Sequence, residues 1–136
     1  MADTLKFGTS GLRGLAVDLI GPATRRYTSA FLAHLQERGQ AGSGRVLIGR
    51  DLRASSPAIL ADCAAAIRAA GYAPVDCGAL PTPALALHAM AEGGPAIMIT
   101  GSHIPADRNG LKFYSPGGEI SKEDELGILA ALDDVG

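Results

Sequence analysis

The sequence predicts an α/β protein: a three-layer domain with a mixed, mostly parallel sheet of about four strands and helices on both faces. Three observations carry this. Short apolar runs alternate with stretches of helical spacing along the 136 residues. The helical stretches open on serine, threonine or proline, and several close on glycine. The last apolar run follows its predecessor after a loop of about ten residues, short for a parallel crossover, so that strand pairs antiparallel with its neighbour.

The elements follow in order. Gly21-Pro22 opens the first helix, in which Tyr27, Phe31, His34 and Leu35 recur at helical spacing up to Gly39. "RVLIG", Arg45–Gly49, reads as a buried strand. Ser56 and Pro57 form an N-cap and first-turn pair for a second helix. Its face is Leu60, Cys63, Ala64 and Ile67, and Gly71 stops it. Ala73–Cys77 is a weak strand, and Thr82-Pro83 opens an alanine-rich helix running to Ala91. Ala96–Ile99 is the next strand, and Leu111–Tyr114 the one after the loop. Ser121 with Asp124 three residues on is a capping-box pattern before a final helix holding Leu126, Leu129 and Leu132. No repeat, linker or low-complexity tract divides the chain, so residues 1–136 read as one domain.

Composition removes several function classes. A net charge of -2 gives no basic footprint for nucleic acid and no polybasic signal for a membrane. No apolar run reaches transmembrane length, and the first twenty residues lack the pattern of a signal peptide. Cys63 and Cys77 lie outside any C-x-x-C, so the expectation is two free thiols in a reducing cytoplasm.

In open α/β sheets ligands bind beyond the carboxyl ends of the parallel strands. Three polar segments fall at such ends: Arg50–Arg53, Gly78–Thr82 and Thr100–Asn109. A fourth, "GTSGLRG" over Gly8–Gly14, is expected as a glycine-loosened loop carrying one cation, Arg13. Arginines, Lys112, hydroxyls and backbone N–H groups together suit an anionic oxygen ligand such as phosphate. The familiar phosphate motifs are absent. There is no G-x-x-x-x-G-K-[ST], and Gly42-Ser43-Gly44 precedes its strand and has Leu47 where a dinucleotide fingerprint needs glycine. Thr100 and Ile104 occupy the positions where a nucleophile elbow around Ser102 would need glycines, which weakens a serine-hydrolase reading.

"GTSGLRG", "GRDLRASS", "LPTPAL" and "TGSHIPADRNGLK", in that order and spacing, resemble the first domain of the α-D-phosphohexomutases. These include the phosphomannomutase/phosphoglucomutase enzymes and their glucosamine relatives. That family's active-site loop reads T-[AG]-S-H-N-P followed by N-G-x-K, matched here at Thr100, Gly101, Ser102, His103, Pro105, Asn109, Gly110 and Lys112. One position departs: Ile104 stands where the family usually carries asparagine, which removes a polar contact. The resemblance implies an isomerase-class phosphotransferase. Ser102 would be carried as phosphoserine, passing its phosphoryl group to mannose or glucose phosphate through a bisphosphate intermediate. Arg13, His103 and Lys112 would neutralise charge or shuttle protons. Mg²⁺ would be bound by the Ser102 phosphate and by an acidic loop of a second domain. The family has four domains and this chain has the length of one, so partner domains are implied and the chain alone is expected to be inactive.

Other readings remain open at this point. Ser102 can be a loop hydroxyl, His103 a loop-ordering group, Lys112 an edge charge and Arg13 a surface residue. Arg50, Asp51 and Arg53 can bind a ligand or simply pair with one another. His34 and His88 sit on helical faces as packing or surface residues. The alternative function is a stand-alone sugar-phosphate-binding module without turnover.

Overall fold

Apolar residues run continuously through the central strands, so each strand presents a hydrophobic surface to both faces of the sheet. The computed structural model, which describes residues 5–8, 11–42, 44–101, 105 and 107–135, shows how those faces are covered. The elements are β1 (Lys6–Gly8), β2 (Gly11–Leu15), α1 (Ala16–Leu19), α2 (Pro22–Glu37), β3 (Arg45–Arg50) and α3 (Ser56–Ala69). There follow β4 (Ala73–Ala79), α4 (Thr82–Glu92), β5 (Ala96–Ile99), β6 (Arg108–Ser115), β7 (Gly118–Glu119) and α5 (Lys122–Val135).

The strands form one sheet in the order β1-β2-β6-β5-β3-β4, with β7 paired to β6. Val46, Ile48, Ile97, Ile99, Leu111, Phe113 and Leu12 pack in one core with α2, α3 and α5. Leu47, Ala96, Met98 and Tyr114 face the other way and pack with Leu85 and Ala89 of α4. The three-layer α/β architecture is therefore the expected one. Phe31 and Phe113, both fully buried, meet at 4.6 Å between ring centroids in the larger core.

The sheet departs from expectation in size and sense. It has seven strands rather than four. Only β3–β4 and β3–β5 are parallel, and the four other pairings are antiparallel. Most of the surplus comes from the Gly8–Gly14 segment, which is no loop among its described residues. Gly8 ends β1, and Gly11–Leu15 is a strand inserted antiparallel beside β6. Its glycines favour a loop, but buried Leu12 and Gly14 alternate with half-buried Arg13 and Leu15, the period-2 pattern of a strand. The antiparallel β5–β6 pair is as expected, with β6 running longer at both ends.

Local signals fare differently. Gly21, at φ 98°, precedes the helix that Pro22 opens. Ser121 and Asp124 form a reciprocal capping box: Asp124 Oδ2 accepts from Ser121 N at 3.0 Å, and Ser121 Oγ accepts from Asp124 N at 3.2 Å. Ser56 is not an N-cap. It is the first helical residue of α3, and its hydroxyl donates elsewhere. The buried stripe of α5 takes in Leu132 but not the other two leucines. Ile128 is fully buried, whereas Leu126 and Leu129 are exposed. The reason is Asp124, which turns the helix by bringing its carboxylate to His34 Nε2 of α2 at 2.8 Å. Residues one and two turns further along, at Ile128 and at Ala131–Leu132, then face the core. Gly127 makes this possible, since any Cβ there would overlap the His34 ring.

Candidate active site

The carboxyl ends of β3 and β5 lie side by side, because Asp51 N donates to the Ile99 carbonyl at 2.9 Å. Beyond β5 the chain runs through Thr100 and Gly101 and returns as β6 at Arg108. Ser102, His103 and Ile104 lie outside the described residues; the flanks of their loop do not.

Asp51 organises one flank. Its Oδ2 accepts from Gly101 N at 2.9 Å, and its Oδ1 accepts from Ser56 Oγ at 2.6 Å and Arg53 N at 3.1 Å. Arg53 Nε lies 3.3 Å from Asp51 Oδ2. Burial pushes the Asp51 carboxyl up, but the bonds from Ser56, Gly101 and Arg53, with the guanidinium charge, outweigh it and hold it below its ordinary value. Arg53 Nη1 donates to the carbonyls of Pro105 at 2.7 Å and Arg108 at 3.1 Å. Asn109, fully buried, donates to Ser55 Oγ at 2.8 Å and Ser56 Oγ at 3.0 Å, while its Oδ1 accepts from Gly110 N at 2.9 Å.

Arg13 and Lys112 come together although they are distant in sequence. In the β2–β6 ladder Leu12 stands opposite Leu111 and Arg13 opposite Gly110. Leu12 and Leu111 point into the larger core, so by alternation Arg13 and Lys112 share the opposite face. Each cation lies across a glycine of the partner strand. A Cβ on Gly110 would sit 3.1 Å from Arg13 Cγ, and one on Gly11 would sit 3.1 Å from Lys112 Cγ. The two glycines thus give room for two long cationic stems on adjacent strands. Gly110 also accepts the Thr100 N–H at 3.0 Å, which sets Arg13 abreast of the entry to the Ser102 loop. Arg13 Nε is buried and has no hydrogen-bond partner among the described residues. A buried donor without a partner is costly, so its natural complement is an anionic acceptor.

Other sequence candidates are accounted for differently. Asp51 and Arg53 pair with each other and with the loop. His34 is committed to Asp124, and His88 Nε2 sits 2.9 Å from Glu92 on an exposed helix face. A groove of about 400 Å³ at the ends of β3 and β4 is lined by Arg50, Asp51, Leu52, Ala79, Leu80 and Pro81 and adjoins the loop flank. A larger groove of about 590 Å³ lies away from the loop, between α2 and α5.

Magnesium does not fit the described residues alone. Asp51, the carboxylate at the loop flank, has both oxygens engaged. No group of three or more His, Cys, Asp or Glu converges as ligands among the described residues.

The fold and these cations define a class: an open α/β domain with a cationic face beside the carboxyl ends of its parallel strands. The sequence model for phosphoglucomutase/phosphomannomutase, alpha/beta/alpha domain I, matches residues 4–135. The chain belongs to that family, as its domain I. It is 57% identical over 129 residues to a phosphomannomutase of Sinorhizobium fredii, covering 94% of this chain and 27% of that protein. A phosphomannomutase of Salmonella muenchen is 48% identical, with coverages of 92% and 26%. A phosphoglucomutase/phosphomannomutase family protein of Burkholderia thailandensis superposes with a TM-score of 0.77 at 30% identity, covering 95% of this chain and 30% of that one. The chain thus spans about a quarter of the length of the curated relatives it matches. Among the described residues, no helix is long and apolar enough to cross a membrane.

Proposed function

We propose that residues 1–136 are the phosphoserine-bearing domain of a phosphohexomutase acting on mannose or glucose phosphate. Ser102 carries the phosphoryl group. Its Oγ–P bond breaks as a sugar hydroxyl oxygen bonds to phosphorus, giving a hexose bisphosphate. The sugar turns over, and its other phosphate returns to Ser102. The observation that carries this reading is the pairing of Arg13 and Lys112 over two glycines, abreast of the Thr100–Gly101 entry to the loop. Phosphoryl transfer depends on charge neutralisation and alignment, and a phosphoserine brings a charge of about -1.5 to -2. Arg13 offers a planar fork for two oxygens and Lys112 a point charge. His103, next to the phosphoserine, would move the proton of the attacking hydroxyl. Further domains would supply the sugar contacts. A magnesium ion would need carboxylates beyond those described in this domain, and the chain alone is expected to show no turnover.

Ser102→Ala in the full-length protein tests the reading. It is expected to leave the fold intact, to remove one phosphate from the intact mass and to abolish hexose-phosphate isomerisation. Turnover within about fivefold of wild type would refute the assignment, because loss of a transferring group costs far more.

A further inference from the structure

Two residues that this chemistry leaves unused hold the loop between β5 and β6 from both sides. Arg53 Nη1 bonds the carbonyls of Pro105 and Arg108 on the returning flank. On the outgoing flank Arg53 packs so closely on Gly101 that a Cβ there would overlap its guanidinium. Asp51 takes the Gly101 N–H on Oδ2, and Arg53 Nε lies 3.3 Å from the same oxygen. The pair is itself fixed to the scaffold. Asp51 N donates to Ile99, and Ser56 at the start of α3 donates to Asp51 Oδ1. Ser56 also receives Asn109, so α3, β3, β5 and β6 converge on one ion pair.

Charge argues against a phosphate-binding role for Arg53. Its guanidinium faces a carboxylate at 3.3 Å and two backbone carbonyls, so much of its field is cancelled and its Nη1 is committed. Arg13 differs, since no carboxylate pairs with it among the described residues and its Nε is unpartnered. We propose that Asp51 and Arg53 are positioning residues that hold the two flanks of the loop carrying Ser102, at Gly101 and at Pro105 and Arg108, and so set the alignment on which its phosphoryl transfer depends. The inference rests on the phosphoserine reading of Ser102. Only a planar fork reaches Asp51, Pro105 and Arg108 from one head group; a lysine ammonium has the charge but not the geometry. A displacement of about 1 Å at a reacting group can lower the rate about a hundredfold.

The test is Arg53→Lys and Asp51→Asn in the full-length protein, with kcat and KM measured on hexose phosphate and folding followed by thermal melting. Both variants are expected to lose about thirtyfold to a hundredfold in kcat while KM stays within about threefold. Hydrogen exchange is expected to rise at residues 100–110 and not across the rest of the sheet. Guanidinium ion added to Arg53→Ala is expected to restore part of kcat, and methylammonium is not. A folded Arg53→Lys with kcat within about threefold of wild type would overturn the proposal, as would a rise in KM at unchanged kcat, which would mark a substrate-binding cation. If Arg53→Lys does not fold, Asp51→Asn reads the same quantities; failure of both to fold makes the pair merely structural and also overturns it. Ser102→Ala separates the two readings. Retained turnover there sinks the phosphoserine assignment, whereas its loss alongside a fully active Arg53→Lys sinks only this one.

Discussion

Gly110→Ala is the sharpest test of the paired cations, because the added methyl has nowhere to go. Its Cβ would lie 2.7 Å from the Leu12 carbonyl oxygen, 3.1 Å from the Thr100 carbonyl oxygen and 3.1 Å from Arg13 Cγ. The two oxygens are backbone atoms on opposite sides, one in β2 and one leading out of β5, and both are tied to β6. Only the Arg13 stem can swing aside. Overpacking of this kind costs about 1–3 kcal/mol, against a gain of about 0.4–1 kcal/mol from a stiffer unfolded chain. Overpacking wins, leaving a net loss of about 1–2 kcal/mol. For a domain of this size that lowers Tm by about 3–10 °C. Gly117→Ala is the control: its Cβ meets only Ser115 Oγ at 3.8 Å, an ordinary contact, so the unfolded-state term acts alone. Thermal unfolding of the two variants by circular dichroism reads the difference. The Arg13→Ala background is informative too, since removing the flexible stem does not relieve the clash with Leu12. A Gly110→Ala protein melting at or above Gly117→Ala would refute the close β2–β6 approach that sets Arg13 in place.

Two further outcomes follow from the same structure. Burial pushes Asp124 up, yet the bonds from His34 and Ser121 outweigh it and lower its pKa below the ordinary value, as happens for Asp51. A depressed folded-state pKa means stability that is present above the unfolded value, about 3.9, and lost as pH falls through the folded one. Acid unfolding of Asp124→Asn is therefore expected to show a shallower fall below about pH 4, with lower stability at neutral pH; an unchanged acid limb in urea titrations would contradict the His34–Asp124 contact. Burial pushes the fully buried Cys63 thiol up to about 12, while Cys77 is only half-buried. Iodoacetamide at pH 8 is expected to alkylate Cys77 first and Cys63 only as the protein unfolds. Equal labelling rates by peptide mass spectrometry would show that Cys63 is not enclosed.

The sequence by itself determined what depends on neighbours along the chain. Apolar runs marked β3 and β5, and the Gly-Pro and Ser-x-x-Asp signals marked the starts of α2 and α5, because capping and periodicity act within a few residues. The spacing of four motifs was enough to assign the family and to single out Ser102, His103, Arg13 and Lys112. What only the tertiary structure decided concerns groups far apart in sequence. Gly11–Gly14 of the "GTSGLRG" motif is strand rather than loop because β6 offers it an edge, a fact no local pattern contains. The buried stripe of α5 goes with Asp124 reaching His34 ninety residues away, which leaves Leu126 and Leu129 exposed while Leu132 packs against the core. Asp51 and Arg53 gave only a D-x-R spacing, open to either a ligand or an ion pair. Their commitment to Gly101, Pro105 and Arg108 follows from β3 and β5 lying side by side, and pairing across that distance is a property of the folded sheet alone.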